Sequence, residues 1–339
     1  MRRGRETAYL SHIQNPELRR EQHAQFEIER ESIEEHREEA KRIIADQLTR
    51  DARILVLDVS QGGFDPNKVA NKQLVNRVME TQYGKAGTTS HGEIMRRMLG
   101  FEPDDPRVTV WDVANDPDRT DIPYPDAWVG TGGPAMPSEL DPGNETKNTK
   151  WLQRTADAMQ ELSRANVPGV AICLSHQLWE YGRGARVGKR HPQRQFGTAR
   201  LRATEEGKRL QLLYGFWDDT GEVDISASHS EGVITPPPEG NFQVLAVDDY
   251  SDYQVAVHPL RKDQPIEEAI EEENIVLSMQ NHPEVAAIYL EVLRTLRGEA
   301  MEKEGLDPQA MLFKNTPNAR NVWLNFLQLA ARRLEKRKK

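Results

Sequence analysis

Cysteine is almost absent from this chain: Cys173 is the only one in 339 residues. A lone cysteine cannot close an internal disulfide, and the composition fits a reducing cytoplasm. Long apolar runs are lacking as well. No stretch approaches the ~18 consecutive apolar residues of a membrane-crossing helix. The opening Met1-Arg2-Arg3-Gly4-Arg5-Glu6 is basic with no apolar segment behind it, and so does not read as a secretory signal. There is no excess of positive charge; a net charge of −9 argues against nucleic acid as a general partner. Internal repeats and low-complexity tracts are missing. So are a phosphate-binding glycine loop, a dinucleotide fingerprint and any metal-ligand spacing, so no cofactor and no metal is expected. What remains is 37% hydrophobic and 29% charged, the balance of a soluble globular protein. The length suffices for one large α/β core with appendages or for two modest domains.

The lone cysteine stands in the stretch around which the chain is organised. Val167-Pro168-Gly169-Val170-Ala171-Ile172 reads as a buried strand and Leu178-Trp179-Glu180-Tyr181 as a helix, so Cys173 falls where one turns sharply into the other. Such a turn pushes a side chain out of the sheet and aims helix amides at it. A helix N-terminus with an imidazole nearby favours the thiolate, the nucleophilic form. A cysteine so placed is either a nucleophile or a buried structural thiol; the rest of the chain decides for the first.

Residues 53–59, 108–113 and 127–130 read as strands, the last running into Thr131-Gly132-Gly133-Pro134. Residues 149–165 form an amphipathic helix leading to the Cys173 strand. This alternation is that of a parallel, helix-covered sheet. After the elbow helix the character changes. Arg183, Arg186, Lys189, Arg190, Arg194, Arg200 and Arg202 make residues 182–221 basic, as either a solvated face or a phosphate site. The runs 211–217, 225–230 and 243–247 suggest antiparallel strands, with 235–240 as a turn. Further strands at 253–257 and 275–279 flank an acidic insertion at 267–273, and the second delivers His282 and Glu284. Helices are expected at 286–296 and 319–333, with residues 332–339 as a frayed, solvated basic tail.

These residues carry a resemblance. Ala171-Ile172-Cys173-Leu174-Ser175-His176-Gln177 is similar to the nucleophile elbow of class I, triad glutamine amidotransferases, G-I-C-L-G-H-Q. Ser278-Met279-Gln280-Asn281-His282-Pro283-Glu284 resembles their second signature, G-x-Q-F-H-P-E, and Trp128-Val129-Gly130-Thr131-Gly132-Gly133-Pro134 resembles their oxyanion loop. The three fall in the family's order, and the resemblance spans residues 51–295. Ala171 and Ser175 replace glycines, and Asn281 replaces an aromatic residue.

The resemblance implies a mostly parallel open α/β sheet flanked by helices, with a flavodoxin-like core, a smaller antiparallel region and helical extensions at both ends. It implies a Cys173, His282, Glu284 triad, an oxyanion hole from the amides of Leu174 and of the Gly132-Gly133 loop, and glutamine held by Gln177 and the His229-Ser230 segment. Glu284 is expected to orient His282 either as the i+2 residue of an extended segment or through a bend reaching the far ring nitrogen. His176 is expected to face away from the site. The activity implied is release of ammonia from glutamine through a γ-glutamyl thioester on Cys173, for a partner synthetase, since no ATP-binding domain is recognisable. A freestanding hydrolase of a larger γ-glutamyl amide is the alternative, and a non-catalytic scaffold a third.

Residues 1–50 form a charged helical extension, 51–297 the catalytic domain, and 298–339 a C-terminal helical extension. Phe26, Ile33, Ala40, Ile43, Ile44 and Leu48 give the first extension a sparse apolar stripe. That stripe either seats it on the catalytic domain or docks a second copy or a partner. An insertion at 61–90, with a helix expected at 72–81, follows the first strand. It is either a surface loop or a border to the active site, because ligands bind at the carboxyl ends of strands in open α/β sheets.

Overall fold

The computed structural model describes residues 8–61, 69–83, 90–238, 241–261 and 263–338. The first long element is α1 (Pro16–Gln47), started by the Asn15 side chain, which accepts from the amides of Glu17 and Leu18, and by Pro16 in its first turn. There follow β1 (Ile54–Asp58), α2 (Lys72–Val78), α3 (His91–Met98), β2 (Val108–Asp112), β3 (Ala127–Gly130), α4 (Thr149–Arg164) and β4 (Gly169–Ile172). Next come α5 (Leu174–Gly182), β5 (Arg186–Gly188), β6 (Gln195–Ala203), α6 (Glu205–Arg209), β7 (Glu222–His229), β8 (Gly232–Thr235), β9 (Gln243–Val247) and β10 (Val255–Pro259). The chain ends with α7 (Ile266–Glu271), β11 (Ile275–Met279), α8 (Ala287–Lys303) and α9 (Asn321–Lys338).

A nine-stranded sheet in the order β2-β1-β3-β4-β11-β10-β9-β6-β7 forms the centre. From β2 to β11 the neighbours run parallel. From β11 onward they are antiparallel, so the antiparallel region continues the same sheet; only β5 and β8 pair apart from it. The parallel strands are buried throughout in β1, β3, β4 and β11, as expected of strands covered on both faces. One apolar layer joins a face of the sheet to α1, α3, α8 and α9; the other lies under α4 and α5. The open α/β fold is the one expected.

The apolar stripe of α1 seats that helix on the sheet's helical layer: Phe26, Ile33, Ala40, Ile43 and Ile44 are buried. Polar groups lock the same face. Gln22 donates to the Phe313 carbonyl and accepts from its amide, and His36 bonds the Met98 carbonyl. Glu29 meets Arg320 at 2.8 Å with both side chains buried. Removing one partner of such a pair costs about 3–5 kcal/mol.

Two expectations change. Residues 211–217 are not a strand: Gln211–Leu213 is a single 3₁₀ turn, and Gly215 takes φ +69°. Asn325 of α9 donates to the carbonyls of Leu212 and Tyr214, and Asn321 to that of Gly215, so side chains satisfy this backbone where a strand would need a ladder partner. The basic end is not frayed. It continues α9 and is tied down through Arg332–Glu273, Arg333 to the Asn166 carbonyl, and Arg337–Asp126. Of the two readings of the basic stretch after α5, the solvated face fits: Arg200, matched to Asp218, Glu222 and Asp224, and Arg202, matched to Asp249, are exposed, and Arg194 pairs with Glu304. Of the insertion, α2 and a π turn over Met79–Tyr83 are described, and the expected helix ends as this turn. The Gly62-Gly63, Asp65-Pro66-Asn67 and 84–89 segments lie outside the described residues.

Candidate active site

Cys173 sits between the end of β4 and the first turn of α5, with φ 49° and ψ −106°. A β-carbon disfavours this backbone by on the order of 1–3 kcal/mol, strain that only a well-determined surrounding sustains. That surrounding is present: the Cys173 amide donates to the Met279 carbonyl at 2.8 Å, and the Gln177 amide to the Cys173 carbonyl at 2.9 Å. The turn sets the cysteine beside His282: a β-carbon at Gly132 would meet both residues at once, and the sulfur's charge acts on the ring.

His282 follows β11, and its own amide bonds the Ser226 carbonyl of β7 at 2.8 Å. Nδ1 of the ring donates to Glu284 Oε1 at 2.7 Å, which leaves Nε2 free for a second partner. Burial works against a charged imidazole here, but Cys173 and Glu284 outweigh it and push His282 up to about 10. The neighbouring imidazoles go the other way. Burial, with His282 adding to it, depresses His229 to about 3, and burial lowers His91.

The glycine loop closes over this pair. A β-carbon on Gly132 would strike His282 Cε1 and lie 3.3 Å from Cys173 Cβ. One on Gly133 would strike the Val59 carbonyl and lie 2.8 Å from Leu174 Cδ2. Glycine is required at both by close approach. Ser175, a departure from the family glycine, turns away from the thiol: its Oγ donates to the Thr131 carbonyl at 2.7 Å and fills the space beside Gly130. It braces the loop from behind. Asn281, in the aromatic position, is buried with no hydrogen-bond partner for its amide among the described residues.

The other expected residues converge nearby. Gln177 Nε2 donates to the Glu231 carbonyl at 2.7 Å and to Gln280 Oε1 at 3.2 Å. The His229 ring nitrogens lie 3.1 Å from the Glu231 carbonyl and 2.8 Å from Gln195 Oε1, so this side chain shapes the turn that also carries the half-buried Ser230. Glu231 in turn accepts from Ser138 Oγ at 2.6 Å, linking the turn to the segment after the glycine loop. His176 is buried toward Glu180, 3.9 Å away, and Tyr253, not toward His282.

Two groups at the site escaped sequence reasoning. His91, first residue of α3, bonds Tyr289 Oη at 2.8 Å and stands edge-on to His282 with ring centroids 6.3 Å apart. Its place at the head of the helix after β1, on the carboxyl-end side of the sheet, was the available signal. Gln82, in the described part of the insertion, accepts the Ala286 amide just past Glu284, so this part of the insertion does border the catalytic loop. Among the described residues no group of His, Cys, Asp or Glu is arranged to hold a metal ion, and no helix is long and apolar enough to cross a membrane.

A cysteine on a strained strand-to-helix turn, beside a histidine–carboxylate pair and under a glycine loop, is an arrangement suited to nucleophilic chemistry in an open α/β fold. The family profile Glutamine amidotransferase class-I matches residues 105–288, more than half of the chain, and the chain belongs to that family. Among solved structures, a candidate GMP synthase component of Thermoplasma acidophilum is 18% identical, with TM-score 0.49 over 85% of this chain and 98% of its own. A glutamine amidotransferase of Thermotoga maritima is 15% identical, with TM-score 0.49 over 84% of this chain and 97% of its own. No curated protein sequence matches the chain significantly.

Proposed function

We propose that the protein hydrolyses the side-chain amide of glutamine, or of another γ-glutamyl amide, through a thioester on Cys173, and that it passes the ammonia to a partner synthetase. The observation that carries this reading is the strained turn that sets the Cys173 thiol against the His282–Glu284 pair. In the resting pair the proton rests on His282. The sulfur attacks the amide carbon, and the oxygen, now negative, is received by the amides of Leu174 and of the Gly132-Gly133 loop. Each such donor is worth about 10²–10³ in rate. The C–N bond breaks as His282 gives its proton to the nitrogen, and ammonia leaves. Water then adds to the thioester while His282 takes its proton; the C–S bond breaks and glutamate departs. Glu284 fixes the ring so that Nε2 faces the sulfur through both steps. Gln177 and the 229–231 turn hold the amino-acid end, the turn through its backbone.

The partner is inferred from the chemistry: ammonia released here needs an acceptor, and this chain displays no ATP-binding motif. The test is glutamine turnover by the purified chain against a panel of γ-glutamyl amides. Cys173→Ala is expected to abolish ammonia release, and ammonia release by that variant at the wild-type rate would refute the mechanism. Wild-type activity confined to N-substituted amides would make the protein a freestanding hydrolase.

A further inference from the structure

Arg297 lies on α8, the helix that leaves the catalytic loop after Glu284. Its Nη1 donates to Ser228 Oγ at 3.0 Å. The other enclosed arginines of this layer are each matched to a carboxylate: Arg294 to Glu291, Arg194 to Glu304 and Arg320 to Glu29. Among the described residues Arg297 is matched to none, although it is closely surrounded by protein and only half-open to solvent. An enclosed charge without a counter-charge is costly, and nothing in the fold itself explains why this one is retained.

Its neighbours locate it at the site. Ser228 stands in β7 between Ser226, whose backbone pairs with His282, and His229 of the turn proposed to hold the substrate. Tyr289, two turns earlier on the same side of α8, holds His91 against His282. Burial keeps the guanidinium below its ordinary value and Arg194 adds to this, while Tyr289 and Cys173 work against it, which places the thiol among the groups whose charge Arg297 feels. A guanidinium offers a planar fork of five donors that fits a carboxylate bidentately. Ser228 engages one of its nitrogens and leaves the rest of the fork.

Resting on the γ-glutamyl reading above, we propose that Arg297 receives a carboxylate of the substrate, so that the site selects amino-acid amides carrying a free carboxylate. That carboxylate is either the α-carboxylate of the glutamyl unit or one borne by the departing amine. Arg297 is then a specificity residue, supplying a charge-assisted contact worth about 10- to 100-fold in reactivity.

The test compares wild type, Arg297→Gln and Arg297→Lys, each checked for a cooperative thermal transition. Alkylation of Cys173 is followed by mass with 6-diazo-5-oxo-L-norleucine, with its methyl ester, and with iodoacetamide as a neutral control. Turnover is followed with γ-glutamylglycine and γ-glutamylmethylamide. If the α-carboxylate is read, Arg297→Gln slows the acid about 10- to 100-fold but leaves the ester and iodoacetamide within about twofold, with Arg297→Lys in between. If the amine's carboxylate is read, acid and ester respond alike and turnover of γ-glutamylglycine alone falls by that factor. Equal slowing of charged and neutral probes, or no slowing, overturns the assignment of Arg297. Wild-type Cys173 that reacts with iodoacetamide but with no γ-glutamyl compound overturns the γ-glutamyl reading itself, and the proposal with it.

Discussion

Two histidine–carboxylate pairs lie in the core around the elbow helix, and only one stands beside the cysteine. His282 meets Glu284 at 2.7 Å, and His258 meets Glu180 at 2.8 Å. All four side chains are buried. The difference lies in what else each pair touches. Glu180 also accepts from Ser278 Oγ at 2.6 Å and from Tyr253 Oη at 3.1 Å, so the pair is enclosed by hydroxyls and clamps α5 to β10 and β11. Burial opposes ionisation of Glu180, but His258, with help from His176 and Ser278, holds its carboxyl down at about 2. His282 has one nitrogen on its carboxylate and stands beside a cysteine held at a strained turn. The same two residue types form a clamp in one place and, on the function proposed above, a proton relay in the other.

Substitutions can break this contrast. The largest effect is expected at the relay. His282→Ala should lower glutamine turnover by about 10⁴-fold or more, close to loss of the cysteine, because such residues act as a unit. Glu284→Gln should cost clearly less. Equal turnover by wild type and His282→Ala would remove the relay. At the clamp, Glu180→Gln removes the carboxylate that holds His258, Ser278 and Tyr253 and should cost about 3–5 kcal/mol in urea unfolding. Iodoacetamide should still label Cys173 in the folded fraction. A change below about 1 kcal/mol would mean that the second pair holds nothing.

Acid sharpens the contrast further. His36 and His176 are held near 4 and His229 near 3, burial being the first cause in each. In the unfolded chain these rings take a proton near pH 6.5. Below that the unfolded state binds more protons, so stability falls as pH drops from about 6.5 toward 4, by roughly 2 kcal/mol per ring at pH 5. His282 contributes in the opposite sense: its share is fully present below pH 6.5 and is lost as pH rises through about 10. His36→Gln, which can keep the bond to the Met98 carbonyl, should flatten the acid limb in denaturant titrations at pH 7 and 5. An unchanged slope would contradict the assignment.

The smallest effect is expected at Ser175. Restoring the family glycine removes the bond to the Thr131 carbonyl, worth about 0.5–1.5 kcal/mol. Turnover should fall by up to about tenfold while iodoacetamide labelling of Cys173 stays unchanged. A gain in turnover would show that the serine hinders the loop.

The residues of the proposed relay could be picked out in the sequence because each of its parts is local. The elbow needs a strand, a turn residue and a helix in succession; the His282–Glu284 pair lies within three residues. The clamp was not readable. It joins Glu180, His258, Tyr253 and Ser278 from separate elements, and nothing local distinguishes a histidine in β10 from any buried one. Arg297 and His91 were missed for the same reason. The strand expected at 211–217 failed because alternation there reflects packing of Leu212, Leu213 and Phe216 under α9, whose asparagines take over the backbone bonding. The basic tail was misjudged because its partners, Glu273, Asn166 and Asp126, lie far back along the chain.

Glu29 joins three distant parts of the chain. Its carboxylate accepts the Ala287 amide, at the head of α8 just beyond Glu284, and pairs at the same time with Arg320. Ala286 brings no capping side chain of its own to that helix. The start of α8 is therefore set by a residue of α1, which is held in turn by Arg320 just before α9. These distant segments meet at the helix that leaves the His282–Glu284 loop, so they belong to the framework of the proposed site and are not merely hung on it.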